Sequence, residues 1–129
     1  MQRFLQIGIL ALLPLSASCL GLAAGAGFLI SQDVSGNKHV SHVSYDVDRV
    51  WPATQAAVRE MAGTNPVTVS SGVPRMIKTR IEGRDVTITV EAYDVDQTLI
   101  KIEAWMVAVA DPKMAESISN RIIAQLAQR

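Results

Sequence analysis

Few residues in this 129-residue chain are of types and spacings that could carry chemistry. His39 and His42 are its two histidines. A separation of three puts them on opposite faces of a strand, so they cannot chelate one metal together. Tyr-Asp-Val-Asp occurs twice, at residues 45–48 and 93–96. Two acids spaced by two share a strand face, but a calcium site draws on about six to eight oxygens. Neither copy has the further acids or the loop glycine of an EF-hand, and helix capping by Asp48 with a hairpin turn at 94–96 explains the same residues. No serine sits in Gly-x-Ser-x-Gly, and no glycine loop is built to cradle phosphate. The twelve acids lie mostly at expected turns or outward strand positions. The expectation is a protein that is not an enzyme, with no metal and no catalytic residue. A hydrolase is the weaker alternative, and it would need a concave site holding an acid of raised pKa.

The remaining reactive group is Cys19, the one cysteine, which leaves no intrachain disulfide to form. Met1-Gln2-Arg3 is a short positive start, and residues 4–15 form an apolar run of 12. That length suits a secretory signal better than a membrane span of roughly 20 residues. In Leu15-Ser16-Ala17-Ser18-Cys19 the small residues present an unbulky backbone to a peptidase. This stretch resembles the site at which a bacterial lipoprotein precursor is lipidated and cut. Ser16 stands where leucine is more usual, with Leu15 one place early. The resemblance implies a diacylglyceryl group on the Cys19 thiol, cleavage before Cys19, and an N-acyl chain on the new terminus. These covalent lipids are the only prosthetic groups expected. At about 0.8 kcal/mol per buried methylene, two or three acyl chains hold a domain firmly on a bilayer. Leu20 is not the aspartate associated with inner-membrane retention in enteric-type bacteria, so the resemblance points to the outer membrane, facing the periplasm. The competing reading is a retained helix, because residues 4–32 contain no charge. Pro14, Gly21, Gly25 and Gly27 weaken that helix.

These assignments divide the chain into a signal peptide at 1–18, a lipidated N-terminus and Gly/Ala-rich linker at 19–37, and a small α+β domain at 38–129. Residues 31–37 are a linker by composition. Residues 20–30 are more apolar, suiting either the lipid surface or a short helix packed on the domain.

The domain must position whatever site exists. Val40, Val43 and Tyr45 mark a first strand over residues 38–46. Asp48 offers a helix cap, and Val50, Thr54, Ala57, Val58 and Met61 share one face of a helix over residues 49–62, with Trp51 beside it and Pro52 in its first turn. Gly63 stops it, and Val67 and Val69 alternate as a short edge strand. Ile77, Thr79 and Ile81 then alternate with Lys78, Arg80 and Glu82, and Gly83-Arg84 turns the chain. Val86, Ile88, Val90 and Ala92 face in; after a turn at 94–97, Ile100, Ile102, Ala104 and Met106 do the same. Such alternation marks an antiparallel sheet covered on one side. Asp111-Pro112 opens a closing helix with Ala115, Ile118, Ile122 and Leu126 on one stripe. The expected architecture is β-α-β-β-β-α, with two helices packed on one face of the sheet.

Lys+Arg and Asp+Glu number 12 each, for a formal net charge of zero. Without a basic block there is no electrostatic footprint for nucleic acid or for a polybasic membrane patch. Trp105, Tyr93, Leu99 and Val107 are expected on the outer sheet face among Lys78, Arg80, Lys101 and Glu103. Large apolar groups on a polar face define the candidate surface for an envelope protein partner. A carrier of a small hydrophobic ligand is the alternative; its cavity would be lined by Ile88, Ile102, Ile118 and Ile122.

Several elements together are similar to a known family. They are the Cys19 site with its Gly/Ala-rich sequel, Tyr45-Asp46 leading into Asp48-Arg49-Val50-Trp51, Ala53-Thr54, Arg80-Ile81-Glu82-Gly83, and a closing helix containing Arg121-Ile122. The chain resembles small bacterial lipoproteins catalogued only as a domain of unknown function, with Pro52 as a departure. The resemblance implies an anchor and a fold, and it brings no reaction. The sequence therefore reads as a membrane-anchored envelope protein that works by binding.

Overall fold

The computed structural model describes residues 27–128. Residues 1–18, read above as a signal peptide, Cys19, and residues 20–26 of the expected linker lie outside the described residues. The elements run β1 (Leu29–Ser35), β2 (Lys38–Val43), α1 (Val47–Ala62), β3 (Thr68–Ser70), β4 (Arg75–Ile81), β5 (Arg84–Asp94), β6 (Gln97–Met106), β7 (Val109–Ala110) and α2 (Pro112–Ala127). All strands pair antiparallel in the order β1-β2-β6-β5-β4-β3, with β7 on the end of β6. The fold is α+β, and the expected skeleton survives as β2-α1-β4-β5-β6-α2, with β1, β3 and β7 added.

The inward rows follow the alternation. Ile77, Ile81, Val86, Ile88, Val90, Ile100, Ile102 and Ala104 are at most 1 % exposed. Both helices lie on that face, α1 against β4 and β5, α2 against β6 and β2, and they pack on each other. α1 supplies Val50, Thr54, Ala57 and Val58, and α2 supplies Ala115, Ile118, Ile122 and Leu126. Ala92 and Met106, expected inside, are exposed. They lie at strand ends, where the β5–β6 register slips after Ala92 and the chain reverses after Met106.

Three boundaries differ from the sequence reading. Residues 31–37, read as linker, form most of β1 and its turn, so the sheet reaches back to Leu29, nine residues before Lys38. Its polar composition hides the strand, which is held by pairing with β2 and by the Gln32 side chain. The Gln32 amide donates to Ser119 Oγ (3.3 Å) and to Ser41 Oγ (3.4 Å), and those two hydroxyls bond each other. Gly36, at φ 64°, makes the two-residue turn to β2. α1 is capped by Asp46, not Asp48: Asp46 Oδ1 accepts from Arg49 N at 2.8 Å. The earlier start leaves Pro52 in the second turn, where it forgoes one helical hydrogen bond. The β4–β5 turn is Glu82-Gly83, with both residues at positive φ (48° and 78°), while Arg84 already belongs to β5.

Candidate functional site

The sheet has two distinct ends, fixed by register. At one end Phe28 C=O accepts from Ser44 N (2.8 Å), and Leu29 pairs Val43, which pairs Thr98. The chain enters here, beside the β2–α1 junction and the Val95-Asp96 turn. At the other end lie the Gly36-Asn37, Glu82-Gly83 and Val107-Ala108 turns. Along the ten residues of β6 the two ends are about 30 Å apart.

The four candidate surface residues divide between these ends. Tyr93 and Leu99 lie at the entry end, and Leu99 is flanked by His42 and Glu91 in register. His42 Nε2–H donates to Gln97 Oε1 at 2.8 Å, and its ring tilts against Tyr93 with centroids 4.6 Å apart. Beside them Lys101 Nζ meets Glu91 Oε1 at 2.6 Å. This group is a polar, mutually satisfied surface with Leu99 half-buried. Trp105 and Val107 lie at the far end, about 20 Å along β6 from Leu99. The expected single patch is therefore two.

The far-end group is the more unusual. Residues 105–110 (WMVAVA) carry no charge. Trp105 pairs Ala110 and Met106 pairs Val109, so Val107-Ala108 is a tight turn. Met106 is 48 % exposed, Val107 93 % and Val109 67 %. Val107 also sits at φ 60°, a conformation that favours glycine and penalises a β-branched side chain. Among the described residues nothing covers that side chain, so the strain has no compensating burial there. Val107→Gly should raise stability by about 1 kcal/mol, moving Tm up by roughly 4–8 °C for a domain of this size; calorimetry of the two proteins checks it.

The base of this hairpin is tied to the helix layer. Asp111 N donates to Ala104 O (2.7 Å), and Asp111 Oδ1 caps α2 by accepting from Met114 N (3.0 Å). Its other oxygen accepts from Arg84 Nε (2.8 Å). The Met114 backbone N–H first, and the Arg84 guanidinium second, hold the Asp111 carboxyl below its ordinary range. The Asp-Pro pair announced the cap; nothing local marks Arg84, 27 residues earlier, as its partner.

The two histidines do face opposite ways. His42 is outward, whereas His39 is inward and 5 % exposed, with Nδ1 lacking a hydrogen-bond partner. Burial lowers its pKa, opposed by the nearby carboxylates of Glu116 and Asp33. The two Tyr-Asp-Val-Asp copies serve structure: Asp46 caps α1, Asp48 accepts from Arg75 Nη2 (2.7 Å), and Asp94 accepts from Val95 N (2.7 Å). Among the described residues no three His, Cys, Asp or Glu groups converge on a metal position.

Ile88, Ile102, Ile118 and Ile122 are each 0 % exposed within the continuous core, where a ligand cavity would have needed them as walls. A groove of about 310 Å³ lies instead at the entry end, between Val47, Val73, Pro74, Val90 and Ala92. Arg75 and Glu91 sit on its rim, each already engaged by Asp48 and Lys101. No described helix is long and apolar enough to cross a membrane.

These features define a small α+β domain, one antiparallel sheet with two helices on one face, with exposed apolar side chains at both ends of the sheet. The chain belongs to a family described as protein of unknown function DUF3568, whose model matches residues 4–125. No curated protein matches the chain.

Proposed function

We propose that this protein is a lipid-anchored component of the bacterial cell envelope that acts by binding an envelope protein rather than by catalysis. The observation behind the binding half is the uncharged β6–β7 tip, which keeps Met106, Val107 and Val109 in water at the cost of backbone strain. Large exposed apolar groups on a rigid scaffold are the usual mark of a contact surface. The anchoring half rests on Leu15-Ser16-Ala17-Ser18-Cys19, which ends eight residues before the first described residue, Gly27. The family match spans that stretch as well as the folded domain. Diacylglyceryl and N-acyl chains on Cys19 would place the domain at a bilayer, facing the periplasm from the outer membrane. The tether from Cys19 to Gly27 reaches at most about 28 Å when extended, so the entry end of the sheet stays near the lipid.

The test is metabolic labelling with an alkyne fatty acid in the native host. The full chain should take up label, and Cys19→Ala should take up none and keep residues 1–18. Equal labelling of both would exclude Cys19 as the anchor.

A further inference from the structure

We infer that the β6–β7 tip of one copy docks in the entry-end groove of a second copy, so that the protein assembles head to tail on itself. The inference rests on the reading above, in which the tip is a contact surface, and names its partner. The tip is convex and exposes Met106, Val107 and Val109. The groove is concave and walled by Val47, Val73, Pro74, Val90 and Ala92. Among the described residues the two most exposed large apolar side chains are Val73 and Val107, at 102 % and 93 %. One stands in each half of this contact. The halves lie at opposite ends of the sheet, about 30 Å apart along β6, so no copy can fill its own groove.

Size and charge both match. At about 30 Å³ per non-hydrogen atom, the share a water molecule takes, the three tip side chains fill roughly 300 Å³. The groove holds about 310 Å³. Residues 105–110 are uncharged, and the charged residues on the groove rim, Arg75 and Glu91, already meet Asp48 and Lys101. Docking therefore leaves no bare charge against apolar surface. Around the contact the charges are of opposite sign. In the turns and element starts that flank the tip, the exposed charges outside ion pairs are Lys38, Glu82 and Lys113, a net positive set. In the β5–β6 turn beside the groove they are Asp94 and Asp96. Opposite fields of this kind steer the tip of one copy toward the groove of the next.

The tip is also built to dock. It is closed by the Trp105–Ala110 and Met106–Val109 pairs, and its base is held by the Asp111 N to Ala104 O bond. A knob held in one conformation loses little freedom on binding. Val107, strained at φ 60°, gains in the groove the burial it lacks within one copy. Two different surfaces at opposite ends make a heterologous contact, which leaves a free tip and a free groove on every assembly and so propagates. One such contact is smaller than the roughly 1,200 Å² of a stable complex, so each link is weak and depends on concentration.

The experiment is sedimentation velocity on the purified full chain in mild detergent, from about 10 μM to about 1 mM, the range of weak specific association. The wild type should form a concentration-dependent series that continues past the dimer. Val107→Asp, a residue type that accepts positive φ, puts a carboxylate on the tip. Val73→Asp puts one in the groove, at a position too exposed to matter to the fold. Each variant alone should associate about tenfold more weakly or more. An equimolar mixture has one intact tip for one intact groove, so it should assemble again and stop at the dimer. The inference is overturned by a wild type that stays monomeric, by association indifferent to both substitutions, or by a mixture that does not recover. A photoreactive residue at position 108 of the full chain, in its native membrane, reads the underlying contact surface separately. An adduct of twice the chain mass is expected. An adduct with a different protein would overturn self-assembly and leave the tip as a contact surface, and no protein adduct would overturn both.

Discussion

Ile102→Ala should destabilise the domain by about 3–4 kcal/mol, a large part of the 5–15 kcal/mol typical of a whole domain. Ile102 is the crossing point of the structure. It lies on the central strand β6, opposite His39 of β2 on one side and Ile88 of β5 on the other. It is 0 % exposed, beneath the helix layer whose α2 stripe includes Ile118 and Ile122. Truncation removes three methyl or methylene groups, and the surrounding isoleucines, fixed by the sheet and by helix packing, close little of the void. Urea unfolding followed by the buried Trp51 measures the loss. A change below about 1 kcal/mol would mean that the sheet and helices are not packed together there as described.

The second large effect is on acid stability, through His39. Burial lowers the pKa of His39 in the folded state below its ordinary 6.5, with Glu116 and Asp33 opposing the shift. A histidine with a depressed folded pKa binds more protons when unfolded. Its contribution is therefore fully present above pH 6.5 and is lost as pH falls through the lowered value. Nδ1, buried and without a partner, would carry a proton with nothing to accept it. Tm should be flat from pH 8 to 7 and then fall from pH 6.5 downward. His39→Leu should flatten that fall. Asp111 acts in a separate window. Its pKa is depressed below 3.8, so its contribution is present above that value and disappears in stronger acid. An acid profile unchanged by His39→Leu would contradict the burial of this ring.

How far the sequence disclosed this structure depends on the kind of signal each element gives. Strict alternation through Ile77, Ile81, Val86, Ile88, Ile100 and Ile102 located the sheet, because a half-buried strand repeats every two residues. The stripe Ala115, Ile118, Ile122, Leu126 located α2 in the same way. β1 was missed because its pairing partners are backbone groups and its inward Gln32 is polar. Only the hydroxyls of Ser41 and Ser119, 9 and 87 residues away, make glutamine suitable there. The cap was expected at Asp48, and Asp46, two residues earlier, takes it; both are aspartates ahead of the same apolar stripe, so residue type does not choose between them. The tip was half legible. Trp105 and Val107 stood out as apolar residues on a polar row, but continued alternation placed both on one flat face with Tyr93 and Leu99. The chain reverses at Val107-Ala108 without glycine, proline, asparagine or aspartate, so nothing local announced the turn. That missing turn residue is the same fact as the strain at Val107. Cys19 was the clearest chemical feature of the sequence, and its meaning depends on what the cell does to it.

The most direct measurement is therefore the mass of the N-terminal peptide of the mature protein, taken from the membrane fraction of its native host. The account predicts a peptide that begins at Cys19 and carries a diacylglyceryl group with a further N-acyl chain. An unmodified peptide that begins at Met1 would contradict it: residues 4–32 would then be a retained apolar segment, and the domain would not be a lipoprotein.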